Sequence, residues 1–175
     1  MNKNEYIEAE NYWKIHDEYS IKMDCRDILK AAEKFLSDHN TCALATGFGN
    51  FVRCTPIEYS WINGSFYLLS EGGIKFRALA ENKNVSLAVF EMYKGFDKIE
   101  SIQVTGKAEI IRHGSEEYSR VLAFKKIPES AIQKLSHPMY LIKIVPKSME
   151  LLFSEFKKNG FDSRQQVTIE NCSLY

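Results

Sequence analysis

The chain has 175 residues, with 23 Lys and Arg against 23 Asp and Glu, so its formal net charge is zero. At about 150 residues per domain the length suits one domain. The 45% apolar and 26% charged composition supports a sizeable core and gives no sign of disorder. The neutral balance speaks against a bulk nucleic-acid binder, which would carry a basic excess.

No apolar stretch approaches the roughly 18–20 residues that span a membrane, and the opening MNKNEYIEAENYWK is polar and acidic with no signal-peptide core. A cytoplasmic protein is therefore expected. The four cysteines (Cys25, Cys42, Cys54 and Cys172) are scattered, with no CxxC and no zinc-like spacing. In a reducing compartment they read as free thiols, two of them on apolar runs and buried, and no metal site is expected.

Residues 4–20 read as a surface helix, with Tyr6, Ala9, Trp13 and His16 at spacings of three and four and Glu5, Glu8, Glu10 and Lys14 between them. A second helix over 25–38 is capped by Asp24 and carries the stripe Ile28, Leu29, Ala32, Phe35 and Leu36. From Thr41 the period changes to that of strands. TCALAT (41–46) leads through Gly47, Gly49 and Asn50 into VRCTPIEYSW (52–61), which joins SFYLLS (65–70) at an Asn63-Gly64 hairpin turn. Pro56 places its strand at an edge or a bulge. A short helix follows over 74–84, then strands VSLAVFE (85–91) and SIQVTGKAEIIR (101–112), the latter with a bulge or close approach at Gly106. Ser115 caps a helix to about Lys126, and Pro128-Glu129 opens another to Leu135. MYLIKIVP (139–146) and SMELLF (148–153) read as strands broken at Pro146, and the tail from Lys157 shows no period. About six antiparallel strands with flanking helices most economically close into a small barrel. The fold class is thus mainly β, a six-stranded antiparallel barrel. Residues 1–40 are its N-terminal helices and 41–175 the barrel, in one structural domain.

Chemistry concentrates at Ser70-Glu71-Gly72-Gly73-Ile74-Lys75-Phe76-Arg77, where a strand ends, two glycines follow and a helix starts with a lysine. Helix-start N–H groups favour anions and glycines admit a ligand close to the backbone. Lys75, with Arg53 from the preceding hairpin, suits a phosphate, while an ordinary strand–helix turn with solvated cations would read the same way. Neither GxxxxGK[ST] nor GxGxxG is present, and the four histidines form no HExxH or HxH. No catalytic residue is identified.

The stretch from Thr41 to Ile111 resembles the FMN-binding split-barrel proteins related to pyridoxamine 5'-phosphate oxidase. The resemblance rests on CALAT, on VRCTPIEYSWINGSFYLLSEGGIKFRALAENKNVSLAVFE and on IQVTGKAEII, in matching order and spacing. It implies a split barrel that pairs as a homodimer with FMN in the cleft between subunits. Arg53 and Lys75 match cations that hold the FMN phosphate. Cys54, Thr55 and Pro56 match positions beside the flavin ring, and Leu69 and Ser70 match positions at the end of the third strand. Gly73 and Ile74 precede the phosphate lysine, and Gln103 matches a glutamine that reaches the flavin from the partner subunit. Ile74 stands where oxidases carry a second arginine, and Glu58 where they carry a lysine for the substrate phosphate. The Tyr/Arg/Ser substrate cluster has no clear match in EEYSRVLAFKKIPESA, and the C-terminal Arg-x-His is absent. Glu58 would repel a phosphorylated substrate. The expectation is an FMN-dependent oxidoreductase on another small molecule, with NAD(P)H as a possible donor. Trp61, Tyr93 and Phe96, with Glu58, are candidate pocket walls. The competing expectation is a non-catalytic flavin or haem module using His16, His39, His113 or His137.

Overall fold

The structure, a computed structural model, describes residues 2–172. Helix α1 (Lys3–Glu18) opens with a capping box, in which Asn2 Oδ1 accepts from the Glu5 N–H and the Glu5 carboxylate accepts from the Asn2 N–H. It buries none of its residues. Helix α2 (Cys25–Asp38) is capped by Asp24 and buries the whole expected stripe of Ile28, Leu29, Ala32, Phe35 and Leu36. Eight strands follow: β1 (Thr41–Phe48), β2 (Phe51–Glu58), β3 (Ser60–Ile62), β4 (Ser65–Ser70), β5 (Asn84–Phe90), β6 (Glu100–Ile111), β7 (Tyr140–Phe153) and β8 (Arg164–Thr168). Helix α3 (Lys75–Glu81) sits between β4 and β5, and α4 (Glu116–Phe124) and α5 (Glu129–Gln133) lie between β6 and β7.

All strands join one antiparallel sheet in the order β2-β1-β5-β6-β7-β4-β3, with β8 on β7. β7 pairs β6 along one side. On the other it pairs β4 through residues 140–144 and β8 through 148–152. β2 runs close to β4 without pairing to it, so the sheet curls into a split barrel with an open seam. Pro56 lies on the edge strand β2, where its missing N–H costs no ladder bond.

Alternation divides the interior into two clusters. Phe66 and Leu68 face the main core with Leu44, Leu87, Val104, Ile142 and the α2 stripe. Tyr67 faces the other way, against Tyr118, Val121, Leu122 and Leu141 beneath α4. The Tyr67 hydroxyl donates to Glu117 (2.7 Å), which also accepts from Lys143 (2.9 Å).

Four expectations are corrected. The run 52–61 is two strands, because the chain leaves β1 at Tyr59, whose hydroxyl donates to the Leu36 carbonyl, and pairs anew with β4. The run 139–153 is one strand. Pro146 does not break it, because the register shifts opposite Thr105 and Gly106 and leaves Lys147 as the bulged residue. Gly106 is required there, since a Cβ would lie 2.8 Å from the Val145 carbonyl oxygen. The tail holds β8. Gln165, fully buried, ties β8 to the segment between α1 and α2 by accepting from the Met23 N–H and donating to the Ile21 carbonyl. The cysteines are not all free: Cys25 and Cys172 form a disulfide across 147 residues of sequence. Cys42 is buried and Cys54 exposed. Burial pushes the Cys42 thiol up to about 12, so it stays protonated.

Among the described residues no helix is long and apolar enough to cross a membrane.

Candidate anion-binding site

β1 and β2 pair in strict register, with Cys42 opposite Ile57, Leu44 opposite Thr55 and Thr46 opposite Arg53. Directly opposed side chains share a face, so Arg53, Thr55 and Ile57 lie on the face of Cys42, Leu44 and Thr46. That face is the core face, since Cys42, Leu44 and Thr46 are buried. Arg53 stands where the face runs out toward the hairpin tip, and its residue is exposed. α3 packs over β1 and β2 at this end, and Asn82 at its C-terminus donates to the Gly47 carbonyl (2.8 Å). Arg77 lies over the Phe48 and Phe51 rings at 5.9 and 5.4 Å, which holds it at the tip.

β4 delivers the chain to this corner. Ser70 is buried, and its hydroxyl donates to the Gly72 carbonyl (3.1 Å) and accepts from the Gly72 N–H (3.2 Å). Gly72 and Gly73 then take φ of 130° and 100°, a path that side chains disfavour. Lys75 follows, only 7% exposed, with its ammonium donating to the Gly72 carbonyl (2.5 Å). Burial first, and the positive charge of Arg53 second, hold the Lys75 pKa below the usual lysine range. Neither cation forms an ion pair with a carboxylate among the described residues. Two cations, one desolvated, therefore sit in one corner beside a glycine turn, an arrangement that attracts an anion.

The structure brings together Arg53, Ser70, Gly73, Ile74 and Lys75, with Thr55 further in on the same face as Arg53. Leu69 points into the second cluster beneath α4. Cys54 and Pro56 lie on the opposite, outward face of β2. Pairing runs from Pro56 through Ala43 and Ala88 to Gln103 on that outer face, three strand spacings or roughly 14 Å away. Gln103 there lines a cleft of about 720 Å³ with Ser86, Thr105, Ser148 and the end of α1. One chain's own Gln103 is thus remote from its own Arg53.

The pocket-wall candidates separate. Trp61 pairs with Phe66 at the opposite end of β4 from Ser70, roughly 13 Å along the strand, and its ring meets Phe66 edge-on at 4.8 Å. Tyr93 and Phe96 are exposed on the β5–β6 connection, 5.9 Å apart. Glu58 is not a bare carboxylate. Lys125, at the end of α4, donates to it at 2.9 Å, which offsets the repulsion expected of it.

Sequence reasoning passed over Thr46 and Lys125. Thr46 left a signal, a hydroxyl at the third inward position of an apolar run. Lys125 left none, because its partner is 67 residues away.

The histidines do not converge. His39 stacks on Phe35 at 4.0 Å, with one ring nitrogen at the Phe35 carbonyl and the other at Glu91. His16 lies on α1 beside Trp13, and His113 against Tyr118.

Comparison with known proteins bears on the fold and the family. No curated protein matches the chain. A FAD-binding protein from Mesorhizobium loti matches with 20% identity over 69% of this chain and 89% of its own, at a TM-score of 0.54. A candidate pyridoxamine 5'-phosphate oxidase from Listeria innocua matches with 18% identity over 74% and 98%, at 0.55. The haem storage protein HutZ from Vibrio cholerae matches with 19% identity over 71% and 91%, at 0.56. These likenesses show the fold. The family model for pyridoxamine 5'-phosphate oxidase matches residues 28–153, most of the chain, and the chain belongs to that family.

Proposed function

We propose that the protein binds FMN, holds its phosphate between Arg53 and Lys75, and serves as a homodimeric FMN-dependent oxidoreductase on a small molecule other than pyridoxamine phosphate. The observation that carries the reading is the Arg53–Lys75 corner. It gathers two cations, one desolvated, with no carboxylate paired to either among the described residues. A phosphate monoester supplies the missing charge and accepts both sets of donors.

The residues fit the group in three further ways. The Gly72-Gly73 turn has no Cβ to fend off a phosphate, and a Cβ on Gly72 would meet nothing within 4 Å. Thr46 adds a buried hydroxyl without a partner on the same face as Arg53. The outer face beside Cys54 and Pro56 carries the small side chains Ala43, Ala45, Ser86 and Ala88, flat enough to lie along an aromatic ring. Bound FMN supplies hydride or electron transfer, and the chain supplies placement and electrostatics. Lys75 and Arg53 anchor the phosphate end. Gln103, remote from the corner of its own chain, serves the site of a second copy, which is why a homodimer completes the reading. Ile74 in place of an arginine leaves the phosphate one cation fewer than in the oxidases.

Purified protein tests this. Its absorbance spectrum should show flavin bands, mass spectrometry of the released molecule should identify FMN, and NAD(P)H should bleach the bands if it is the donor. Colourless protein that takes up no added FMN would overturn the reading.

The likeness to HutZ raises haem as a second occupant of this fold. A haem titration that gives a Soret band, lost on His16→Ala, His39→Ala, His113→Ala or His137→Ala, would favour it over FMN.

A further inference from the structure

Thr46 is the last buried residue in the inward row of β1 and is 3% exposed. Its neighbours in that row, Cys42 and Leu44, are apolar and belong to the main core. Its Oγ1 is sealed from solvent and has no hydrogen-bond partner among the described residues. Leaving a buried hydroxyl unpaired is unfavourable by about 1–3 kcal/mol, and valine would fill the same space without that penalty. A hydroxyl retained at such a place calls for a partner that arrives later.

The residue opposite Thr46 in the ladder is Arg53. Its guanidinium has five donors and no acceptor, and among the described residues it makes no hydrogen bond or ion pair. An acceptor without a donor thus faces a donor without an acceptor, across one strand pair and on one face. The positive charge of Arg53 already bears on the buried ammonium of Lys75, and an anion between the two cations would offset that repulsion.

We propose that Thr46 is a positioning residue for Arg53: when a phosphate monoester enters the corner, Arg53 turns inward, donates to Thr46 Oγ1 with one N–H and presents its remaining donors to the phosphate. The proposal deepens the FMN reading and rests on it. It also assigns the penalty of the unpaired hydroxyl to the ligand-free state, so that ligand binding relieves it.

The test uses the full chain, FMN, and riboflavin as the same ring system without phosphate. Affinities come from quenching of flavin fluorescence, and stability of the ligand-free protein from thermal unfolding. Thr46→Val should unfold at the same or a higher temperature than the parent, yet bind FMN about tenfold more weakly, the equivalent of one lost charge-assisted hydrogen bond. Riboflavin affinity should not move. Thr46→Ser keeps the hydroxyl and should bind FMN within about threefold of the parent, whatever its stability. In an Arg53→Ala background Thr46→Val should cause no further loss. Unchanged FMN affinity in Thr46→Val would overturn the proposal and leave the hydroxyl to a buried water. Equal losses for FMN and riboflavin, or losses that add to those of Arg53→Ala, would overturn it too. A parent protein that does not distinguish FMN from riboflavin would instead fail the phosphate reading itself.

Discussion

Lys75 and Arg53 reach one corner from different elements, the first turn of α3 and the outer end of β2, and the charge of Arg53 acts on the buried ammonium of Lys75. The two are set in place by unrelated local features. Arg53 follows from the β1–β2 register, and Lys75 from a two-glycine turn whose Gly72 carbonyl accepts from the Lys75 ammonium.

That relationship sets a pH dependence. In the free protein Lys75 releases its proton below the ordinary lysine value of 10.5. A bound phosphate favours the charged form, so binding takes up a proton as pH rises into this range and FMN affinity falls. Riboflavin, lacking the phosphate, provides the baseline. The ratio of FMN to riboflavin affinity should shrink with rising pH, and Lys75→Arg, whose guanidinium does not deprotonate, should flatten the trend. A ratio that stays constant to high pH would remove Lys75 from the site.

Removing either cation should weaken FMN by about 1.5–3 kcal/mol, the range of a hydrogen bond to a charged group. Arg53→Ala and Lys75→Ala should each show this in fluorescence titration, with riboflavin affinity unmoved. Lys75→Ala also deletes an unfavourable buried charge, so the ligand-free variant should lose little thermal stability.

The main lines of this fold were legible because most elements announce themselves locally. The period-two runs, the Asn63-Gly64 turn and the capped stripe of α2 all lie where their residues put them. What failed was non-local. Pro146 reads as a stop until the bulge at Lys147 and the bare Gly106 opposite show how the strand passes it. β8 has five residues and no period of its own, and it exists because β7 offers an edge and Gln165 finds backbone partners 142 and 144 positions away. The disulfide was illegible for the same reason, since spacing cannot announce a contact across 147 residues. The Arg53–Lys75 corner was readable as two cations and a glycine turn, whereas Thr46 left only a hydroxyl in an apolar run, to which its burial and missing partner give a meaning.

The Cys25–Cys172 bond ties the start of α2 to the end of the described chain and closes a long loop. Replacing both residues by serine should cost about 2–5 kcal/mol of stability. Denaturant unfolding of the parent with and without a thiol reductant should reproduce that difference, and the serine variant should not respond to reductant. Equal stability of parent and variant without reductant would contradict the assignment.

Glu117 gives a second pH-dependent contribution. Hydrogen bonds from the Tyr67 hydroxyl first, and from Lys143 second, lower its pKa below the ordinary carboxylate value. A folded-state pKa below the unfolded one stabilises the fold fully above the unfolded value, and the gain is lost as pH falls through the folded one. Glu117→Gln should therefore cost about 1–2 kcal/mol near neutrality, with the side chain part-exposed. The difference should vanish in acid. Denaturant unfolding at several pH values would show a constant gap if the carboxylate were not involved.

Whether Arg53 and Lys75 hold a phosphate is decided by a paired titration of the ligand-free protein with FMN and riboflavin at neutral pH. FMN should bind at least tenfold more tightly, about 1.4 kcal/mol or more, and this preference should collapse in the Arg53→Ala, Lys75→Ala double variant. Equal affinity for the two flavins, or a preference for FMN that survives loss of both cations, would contradict a phosphate held there.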